Sequence, residues 1–328
     1  MVVLVGHGRW GQVYAAALRD AGALAGVAVS SPESAFSLQN QLSEPCSHDV
    51  LALVRQTEAQ ALAVLSPTPW HATHVRLALD LGLPCLVIKP AAEQADQART
   101  LHAEAEACNV PVFVVHEVLW EAALRVLLDA VADGRLGRLR EATILRQGQD
   151  QGPDGAPPRP MPETPGENLP WLFETVVHEA TVANRLAGRQ APVGVEVRDV
   201  FASAALPRLD ATWRYPDGFE VAVRYDGNPL LPFAYAVTVT GDSGQVLFRA
   251  ERGRSTVQWT DGHGQVTRLP VTERASPEAL AVRHFLRVVQ RLQMPEETLA
   301  DGARAIDAAV LLVQSAARLA GLVWEKKP

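Results

Sequence analysis

The chain has 328 residues, of which 48% are hydrophobic and 20% charged, and its formal net charge at pH 7 is -7. This length allows two domains with a sizeable core, while the acidic balance and the lack of Lys/Arg runs argue against a nucleic-acid-binding surface. Three widely spaced cysteines predict neither a disulfide framework nor a zinc cluster, and with no leader segment and no long apolar stretch we expect a cytoplasmic protein outside the membrane.

The first predicted element is a short apolar strand at 2–5, which runs directly into a glycine-rich turn. Strand, glycine turn and helix is the context in which G-x-G-x-x-G binds a dinucleotide. The first glycine permits a tight turn, the second lets the backbone approach the diphosphate, and the third lets helix and strand pack closely. A glycine turn that binds nothing is the alternative. We predict a dinucleotide site formed by Gly6, His7, Gly8, Arg9, Trp10 and Gly11.

Strands and helices alternate over the next hundred residues, which is typical of a doubly wound parallel sheet. Strands are predicted at 24–29, 61–65, 84–88 and 110–115, and helices at 71–81 and 93–107. Ligands bind outside the carboxyl ends of such strands. That rule predicts one ligand-binding edge that contains Gly6, Ser30, Ser66, Pro67, Lys89 and His116.

The end of the second strand bears on the choice of coenzyme. In NAD-binding Rossmann domains an Asp or Glu about 20 residues beyond the last glycine binds the ribose 2′-hydroxyl. This sequence has Ser30 and Ser31 there. Without a carboxylate nothing repels a 2′-phosphate, two hydroxyls can donate to it, and Arg9 can add positive charge. We predict NADP, with NAD as the alternative; the serines could instead only begin a turn and cap the next helix.

After about residue 120 the pattern changes to that of a second domain. A helix at 121–133 and a strand at 140–146 precede a long loop at 147–170 that is rich in Pro, Gly, Gln and Asp. A helix at 171–186 is followed by β-rich stretches at 193–202, 210–215, 220–225, 235–240, 245–250 and 256–259. Two helices, at 277–293 and 296–319, close the chain, and Ser276-Pro277-Glu278 is a start signal for the first.

The sequence therefore predicts an α/β protein with two domains. Residues 1–118 form an N-terminal Rossmann domain with a doubly wound parallel sheet. Residues 119–328 form a C-terminal α+β domain with a large, open, mainly antiparallel sheet, and its last helix is free to pack back on the first domain.

Several motifs occur in an order that points to one family. They are the glycine turn at 6–11, Ser-Pro-x-x-x-His at 66–71, the stretch at 78–82 that leads into Lys89-Pro90, the turn at 134–137 and the helix at 171–188. This set resembles the Gfo/Idh/MocA oxidoreductases, named for glucose–fructose oxidoreductase and inositol 2-dehydrogenase. The resemblance covers essentially the whole chain. It implies hydride transfer between a nicotinamide coenzyme and a sugar, polyol or related small molecule.

The resemblance also implies catalytic residues. The family's Glu-Lys-Pro motif maps onto Ile88-Lys89-Pro90, and its Asp-x-x-x-His pair maps onto Glu174 and His178. These two residues are four apart and share one face of a helix, and histidine exchanges protons readily near neutral pH. We predict His178 as general acid/base, Lys89 as the cation that polarises the substrate oxygen, and Glu174 as the positioning carboxylate. A solvated surface pair is the alternative for Glu174 and His178.

Departures from the family pattern support a second hypothesis. Ile88 replaces the family's Glu, residues 168–170 replace its glycine run, residues 117–120 lack its Asn and Arg, and Val176 and Thr181 replace the Gly and Asp that flank its histidine. They indicate an unusual substrate, or a non-catalytic NAD(P)-binding sensor on the same scaffold.

The remaining predictions concern metal and partners. His71 has a place near the cofactor in the family pattern; it forms an H-x-x-H pair with His74, but no third ligand lies nearby in sequence, so we predict no metal site. By analogy with the family we expect a homodimer or homotetramer formed through the open sheet.

Overall fold

The structure is a computed structural model that describes residues 1–148, 165–201, 208–228, 230–251 and 253–324, without the side chains of 165–168, 171 and 201. These residues form two compact units. The first contains Met1–Trp120 and Ala275–Ala303, and the second contains the described parts of Glu121–Arg274 and Arg304–Pro328. The division into domains at 1–118 and 119–328 remains a prediction.

The first unit is built around a parallel sheet, as predicted. In the described residues it has six strands, in the order β3-β2-β1-β4-β5-β6. The strands are β1 (Val2–Val5), β2 (Leu24–Ala28), β3 (Cys46–Ser47), β4 (Ala61–Val64), β5 (Cys85–Ile88) and β6 (Val112–Val115). Every residue of β1, β4, β5 and β6 is buried. Such burial is typical of a parallel sheet covered by helices on both faces.

Helices connect these strands. They are α1 (Arg9–Asp20), α2 (Pro32–Gln39), α3 (Val50–Thr57), α4 (His71–Asp80) and α5 (Ala95–Cys108), with short 3-10 turns at Thr68–Trp70 and Glu117–Trp120. The predicted helices agree with α4 and α5 to within two residues. The elements α2, β3 and α3 were not predicted, because each is too short for its periodicity to stand out. Side-chain caps start the two helices, from Ser31 in α2 and Asp49 in α3.

The second unit starts with α6 (Ala122–Ala132) and contains a mixed sheet. Its described strands have the order β14-β13-β12-β11-β7-β10-β9-β8, and only the β7–β10 pair is parallel. The mainly antiparallel sheet is therefore confirmed. The strands are β7 (Leu139–Gln147), β8 (Gly194–Phe201), β9 (Arg208–Arg214), β10 (Glu220–Asp226), β11 (Ala234–Gly241), β12 (Gly244–Glu251), β13 (Arg254–Asp261) and β14 (Val266–Leu269).

The start of helix α7 (Pro165–Leu186) corrects the predicted loop at 147–170. Residues 165–170 are helical, although Pro170 removes a backbone donor and glycine and asparagine favour helix weakly. Burial of Leu169, Leu172 and Phe173 stabilises this first part of the helix. Residues 149–164, the rest of that loop, lie outside the described residues.

The chain closes with α8 (Pro277–Val289) and α9 (Leu299–Leu319), both inside the predicted ranges. The start signal of α8 is confirmed, since the backbone N–H of Ala279 donates to Ser276 Oγ at 3.2 Å. None of the described helices combines the length and apolar character needed to cross a bilayer.

Candidate functional site

The glycine turn between β1 and α1 has a geometry that only glycine tolerates at two positions. Gly6 has a φ of +101°, and a Cβ there would lie 2.5 Å from the carbonyl oxygen of Leu65. A Cβ on Gly11 would lie 2.1 Å from the carbonyl oxygen of Gly6. At Gly8, by contrast, no atom of the described residues lies within 4 Å of such a Cβ. The turn is thus closed against the sheet at Gly6 and Gly11 and open at Gly8.

The amino end of α1 faces this opening without a side-chain cap. Gly8 is the N-cap residue, and the first turn of α1 contains no acidic side chain. Uncapped N–H groups and the positive end of the helix dipole favour an anion at such a position. Burial lowers the pKa of His7 below its ordinary value and the Arg19 cation lowers it further, so His7 is neutral near pH 7. The residues fit the diphosphate of a dinucleotide.

The two serines after β2 differ in their surroundings. Ser30 is exposed. Ser31 Oγ caps α2 by accepting from the backbone N–H of Ser34 at 3.2 Å and lies 3.1 Å from Ser34 Oγ. Hydrogen bonds from a backbone N–H and from the Ser31 hydroxyl lower the pKa of Glu33. The first turn of α2 therefore carries an ionised carboxylate. The capping alternative therefore holds for Ser31, and Glu33 was missed because it lies beyond the usual ribose-binding position.

The segment after β4 contains Ser66, Pro67 and His71. Ser66 is buried and its hydroxyl lies 3.0 Å from His74 Nδ1, whereas Pro67 is exposed. His71 is 1% exposed and both of its ring nitrogens lie on backbone carbonyl oxygens. Its ring therefore contacts the protein from both sides.

Lys89 follows β5 directly. Its backbone N–H donates to the carbonyl oxygen of Val115 at 3.0 Å, and the peptide bond to Pro90 is cis. His116, at the end of β6, is fully buried; burial chiefly, and then the Lys89 cation, lower its pKa to about 3 against a smaller opposing effect of Asp301. His116 is therefore neutral near pH 7 and does not compete with Lys89 for an anionic or electron-rich ligand.

Helix α7 carries Glu174 and His178. Glu174 is exposed and His178 is half-buried. Since both lie within one helix at a spacing of four, they share a face of it, as predicted.

A buried ion pair between α7 and β7 was not predicted. Arg146 Nε of β7 donates to Glu179 Oε1 at 2.7 Å, and the exposed fractions of the two side chains are 14% and 3%. The Arg146 guanidinium also lies over the Tyr235 ring, 4.9 Å from its centre. The only sequence signal was a glutamate at a helix position whose neighbours at i-3 and i+4, Val176 and Ala183, are apolar.

A cavity adjoins this ion pair. It is lined in part by Leu172, Thr175 and Leu209 and has room of about 10 Å³, enough for one water molecule. This cavity is therefore too small to be a substrate pocket.

The match with a family model falls within the first of the two units. Residues 1–116 match the model of the GFO_IDH_MocA family, described as an oxidoreductase family with an NAD-binding Rossmann fold. The resemblance to this family inferred from the motifs is thereby confirmed over residues 1–116. No curated protein matches the sequence.

Several solved structures match nearly the whole chain. UDP-N-acetylglucosamine 3-dehydrogenase from Acidithiobacillus ferrooxidans has 17% identity and a TM-score of 0.78, over 96% of both chains. An oxidoreductase from Agrobacterium radiobacter in complex with NAD+, L-tartaric acid and magnesium has 15% identity and a TM-score of 0.78, over 96% of both chains. Aldose-aldose oxidoreductase from Caulobacter crescentus has 13% identity and a TM-score of 0.74, over 97% of both chains. At these identities the likeness establishes the fold, and this chain is divergent.

Two departures from the Gfo/Idh/MocA pattern have a structural explanation. Val176, where the family has Gly, is buried, so its side chain adds to the core under α7. Thr181, where the family has Asp, is also buried, and its hydroxyl donates to the carbonyl oxygen of Val177 at 2.8 Å. Val176 thus adds buried apolar surface, and the Thr181 hydroxyl is satisfied within α7, so neither residue puts a charge beside His178.

The predicted residues fall into two groups. The first unit contains the glycine turn, Ser30, Ser31, Ser66, Pro67, His71 and Lys89, all at or beyond the carboxyl ends of parallel strands. The second unit contains Glu174 and His178 on α7. No three His, Cys, Asp or Glu side chains come together as metal ligands in the part of the chain that the structure describes.

Proposed function

We propose that this protein is a nicotinamide-dependent oxidoreductase that transfers hydride to or from a sugar-like or other small hydroxyl or carbonyl compound. The glycine turn carries the proposal, because Gly6 and Gly11 accept no side chain while the backbone at Gly8 is open beside an uncapped helix end. A turn with only a structural role would not need the opening at Gly8. The family match over residues 1–116 supports the same conclusion.

The residues that would hold the coenzyme are those of the first group. The amides at the start of α1 would bind the diphosphate, with His7, Arg9 and Trp10 beside it. Ser66, Pro67, His71 and Lys89 belong to the strand ends that follow, where the nicotinamide half binds in Rossmann domains of this order. When bound, the nicotinamide supplies or accepts the hydride.

The chain's own residues would handle the proton and the charge. When an alcohol is oxidised, its hydroxyl proton must leave as hydride departs from the carbon; His178 is proposed to take this proton and to return it in the reverse direction. Lys89 is proposed to stabilise the negative charge that develops on the substrate oxygen. Glu174, one helical turn from His178, is proposed as the positioning carboxylate.

We favour NADP as the coenzyme, with NAD as the alternative. Ser30 carries this preference, since it is exposed, uncharged and able to donate to a phosphate. Ser31 contributes less, because its oxygen already caps α2.

The test is turnover with each coenzyme. Purified protein is mixed with NADPH or NADH and a panel of aldoses, ketoses and inosose-type carbonyl compounds, and the nicotinamide absorbance is followed. We expect oxidation of the coenzyme with at least one carbonyl compound. His178→Ala should abolish turnover while the coenzyme dissociation constants stay within about twofold. Lys89→Met should abolish turnover even at saturating coenzyme, and His263→Ala, on an exposed turn, is the matched histidine control.

Two outcomes would contradict the proposal. Failure to bind any pyridine nucleotide at millimolar concentration would exclude the coenzyme site itself. Coenzyme binding without turnover in the wild type would instead leave the non-catalytic binding protein as the better account.

A further inference from the structure

His71 joins the ends of two neighbouring strands. Nε2 lies 2.7 Å from the carbonyl oxygen of Ser66 and Nδ1 lies 2.8 Å from the carbonyl oxygen of Pro90. Ser66 follows β4 and Pro90 follows β5, and these strands are paired in the sheet. The imidazole thus bridges the two segments that carry most of the predicted nicotinamide-side residues.

The chemistry of the two contacts restricts the charge on the ring. A carbonyl oxygen can only accept a hydrogen bond, and a neutral imidazole has an N–H on one nitrogen and a lone pair on the other. In either neutral tautomer a lone pair would face a carbonyl oxygen at 2.7 or 2.8 Å with no proton between them. An imidazolium donates to both oxygens, and charge-assisted N–H···O bonds are typically about 2.7–2.9 Å long.

Two neighbouring imidazoles do not oppose a charge on His71. His74 on the same helix interacts electrostatically with His71, and His116 after β6 interacts with Lys89 and Asp301. Burial and the charge on His71 lower the pKa of His74, and burial and Lys89 lower that of His116 to about 3. Both imidazoles are therefore neutral near pH 7 and add no positive charge that would oppose the protonation of His71.

We propose that His71 is a positioning residue that keeps both ring protons at neutral pH and thereby fixes the backbone that carries Lys89. Only the catalytic consequence rests on the proposed function. The backbone of Lys89 is held at both ends. Its own N–H donates to the carbonyl oxygen of Val115, and the carbonyl oxygen of the following residue, Pro90, accepts from His71. Removing one ring proton would replace an attraction by a repulsion between lone pairs and free this segment to shift.

The protonation state can be measured directly. A neutron crystal structure of the wild-type protein, exchanged into D2O at pD 7.5, should have deuterium on both Nδ1 and Nε2 of His71. His74 in the same crystal is the internal control and should carry deuterium on one nitrogen. Deuterium on a single nitrogen of His71 would overturn the proposal, and this result does not depend on catalysis.

The effect on Lys89 is tested with two variants. His71→Phe keeps a buried ring without donors, and His71→Gln keeps one amide donor group. Because a displacement of about 1 Å at a catalytic group can cost on the order of 100-fold in rate, we expect kcat to fall about 10- to 100-fold in His71→Phe and less in His71→Gln. The rate is measured at saturating coenzyme, and kcat is expressed per coenzyme-binding site, so that neither weaker coenzyme binding nor misfolded protein is counted.

His74→Gln is the matched control, because His74 touches the Ser66 side chain and not the Pro90 carbonyl. A kcat per site that is unchanged in His71→Phe would overturn the positioning role. If the wild type has no turnover, the proposed function fails, whereas the neutron structure still decides the protonation of His71.

Discussion

Ser30 and Ser31 are adjacent in the chain but do different things. Their position after β2 predicts a pair of phosphate donors, with capping of the next helix as the alternative. Ser31 Oγ in fact caps α2, and Glu33 adds a carboxylate to the first turn of the same helix. The sequence alone shows that no Asp or Glu occupies the usual ribose-binding position. It could not predict that Glu33 contributes a carboxylate here, because that depends on where α2 begins.

We therefore expect the coenzyme preference to depend on two residues, the uncharged Ser30 and the carboxylate of Glu33. Ser30→Asp should weaken NADP binding, because a carboxylate would face the 2′-phosphate, and should spare NAD. Glu33→Gln removes an ionised group and should tighten NADP binding without changing the NAD affinity. Titration of both coenzymes into the wild type and the two variants measures this. An unchanged or tighter NADP affinity in Ser30→Asp would exclude Ser30 as the selecting residue.

Helix α7 shows where local patterns misled the prediction. Pro165, Gly166 and Pro170 are weak helix formers, so the sequence indicated a loop up to residue 170. Tertiary burial outweighs that preference, as Leu169 is 2% exposed. The spacing of Glu174 and His178 was predictable because it depends only on the helical period, whereas the pairing of Glu179 with Arg146 depends on contacts between distant segments.

The Arg146–Glu179 ion pair should matter for stability. Breaking a buried pair leaves an uncompensated charge, so Glu179→Gln is expected to lower the free energy of unfolding by about 3–5 kcal/mol. The double variant Arg146→Met/Glu179→Leu should recover much of this loss, because no buried charge remains. Urea unfolding followed by circular dichroism measures both.

The control for this prediction is the ion pair of Arg76 and Glu104, with side-chain exposures of 47% and 38%. Glu104→Gln should cost no more than about 1 kcal/mol, as is usual for exposed pairs. Equal losses in Glu104→Gln and Glu179→Gln would contradict the argument from burial.

At the scale of the whole molecule, the two sheets differ in how far they could be predicted. The buried strands of the first sheet are continuous apolar runs bounded by turns, which identify a parallel sheet in sequence. The second sheet was predicted as mainly antiparallel, but β14 was missed because three of its four residues are exposed and show no alternation. The strand order of the second sheet could not be predicted either, because β7 pairs with β10 and β11, which follow it by more than 70 residues.

The open face of the second sheet bears on self-association. Thr143, Ala222, Thr238 and Leu247 are cross-strand neighbours in one row on that face. We expect the protein to form a dimer or tetramer through this face, and Thr238→Arg should shift it towards the monomer by placing a charge in the contact. Light scattering coupled to size-exclusion chromatography measures the mass, with Gln56→Arg on the exposed face of α3 as the control. A wild-type monomer at tens of micromolar would contradict the expectation.

The parallel pairing of β7 with β10 has a consequence for how this chain can change over evolutionary time. Two adjacent strands that point the same way cannot be joined by a hairpin, so the polypeptide must make a long excursion before it returns. That excursion includes α7, with both Glu174 and His178. Under the proposed catalytic roles of these two residues, insertions and deletions in the excursion can change substrate preference while the hydrogen-bonded register of the central strands is inherited intact.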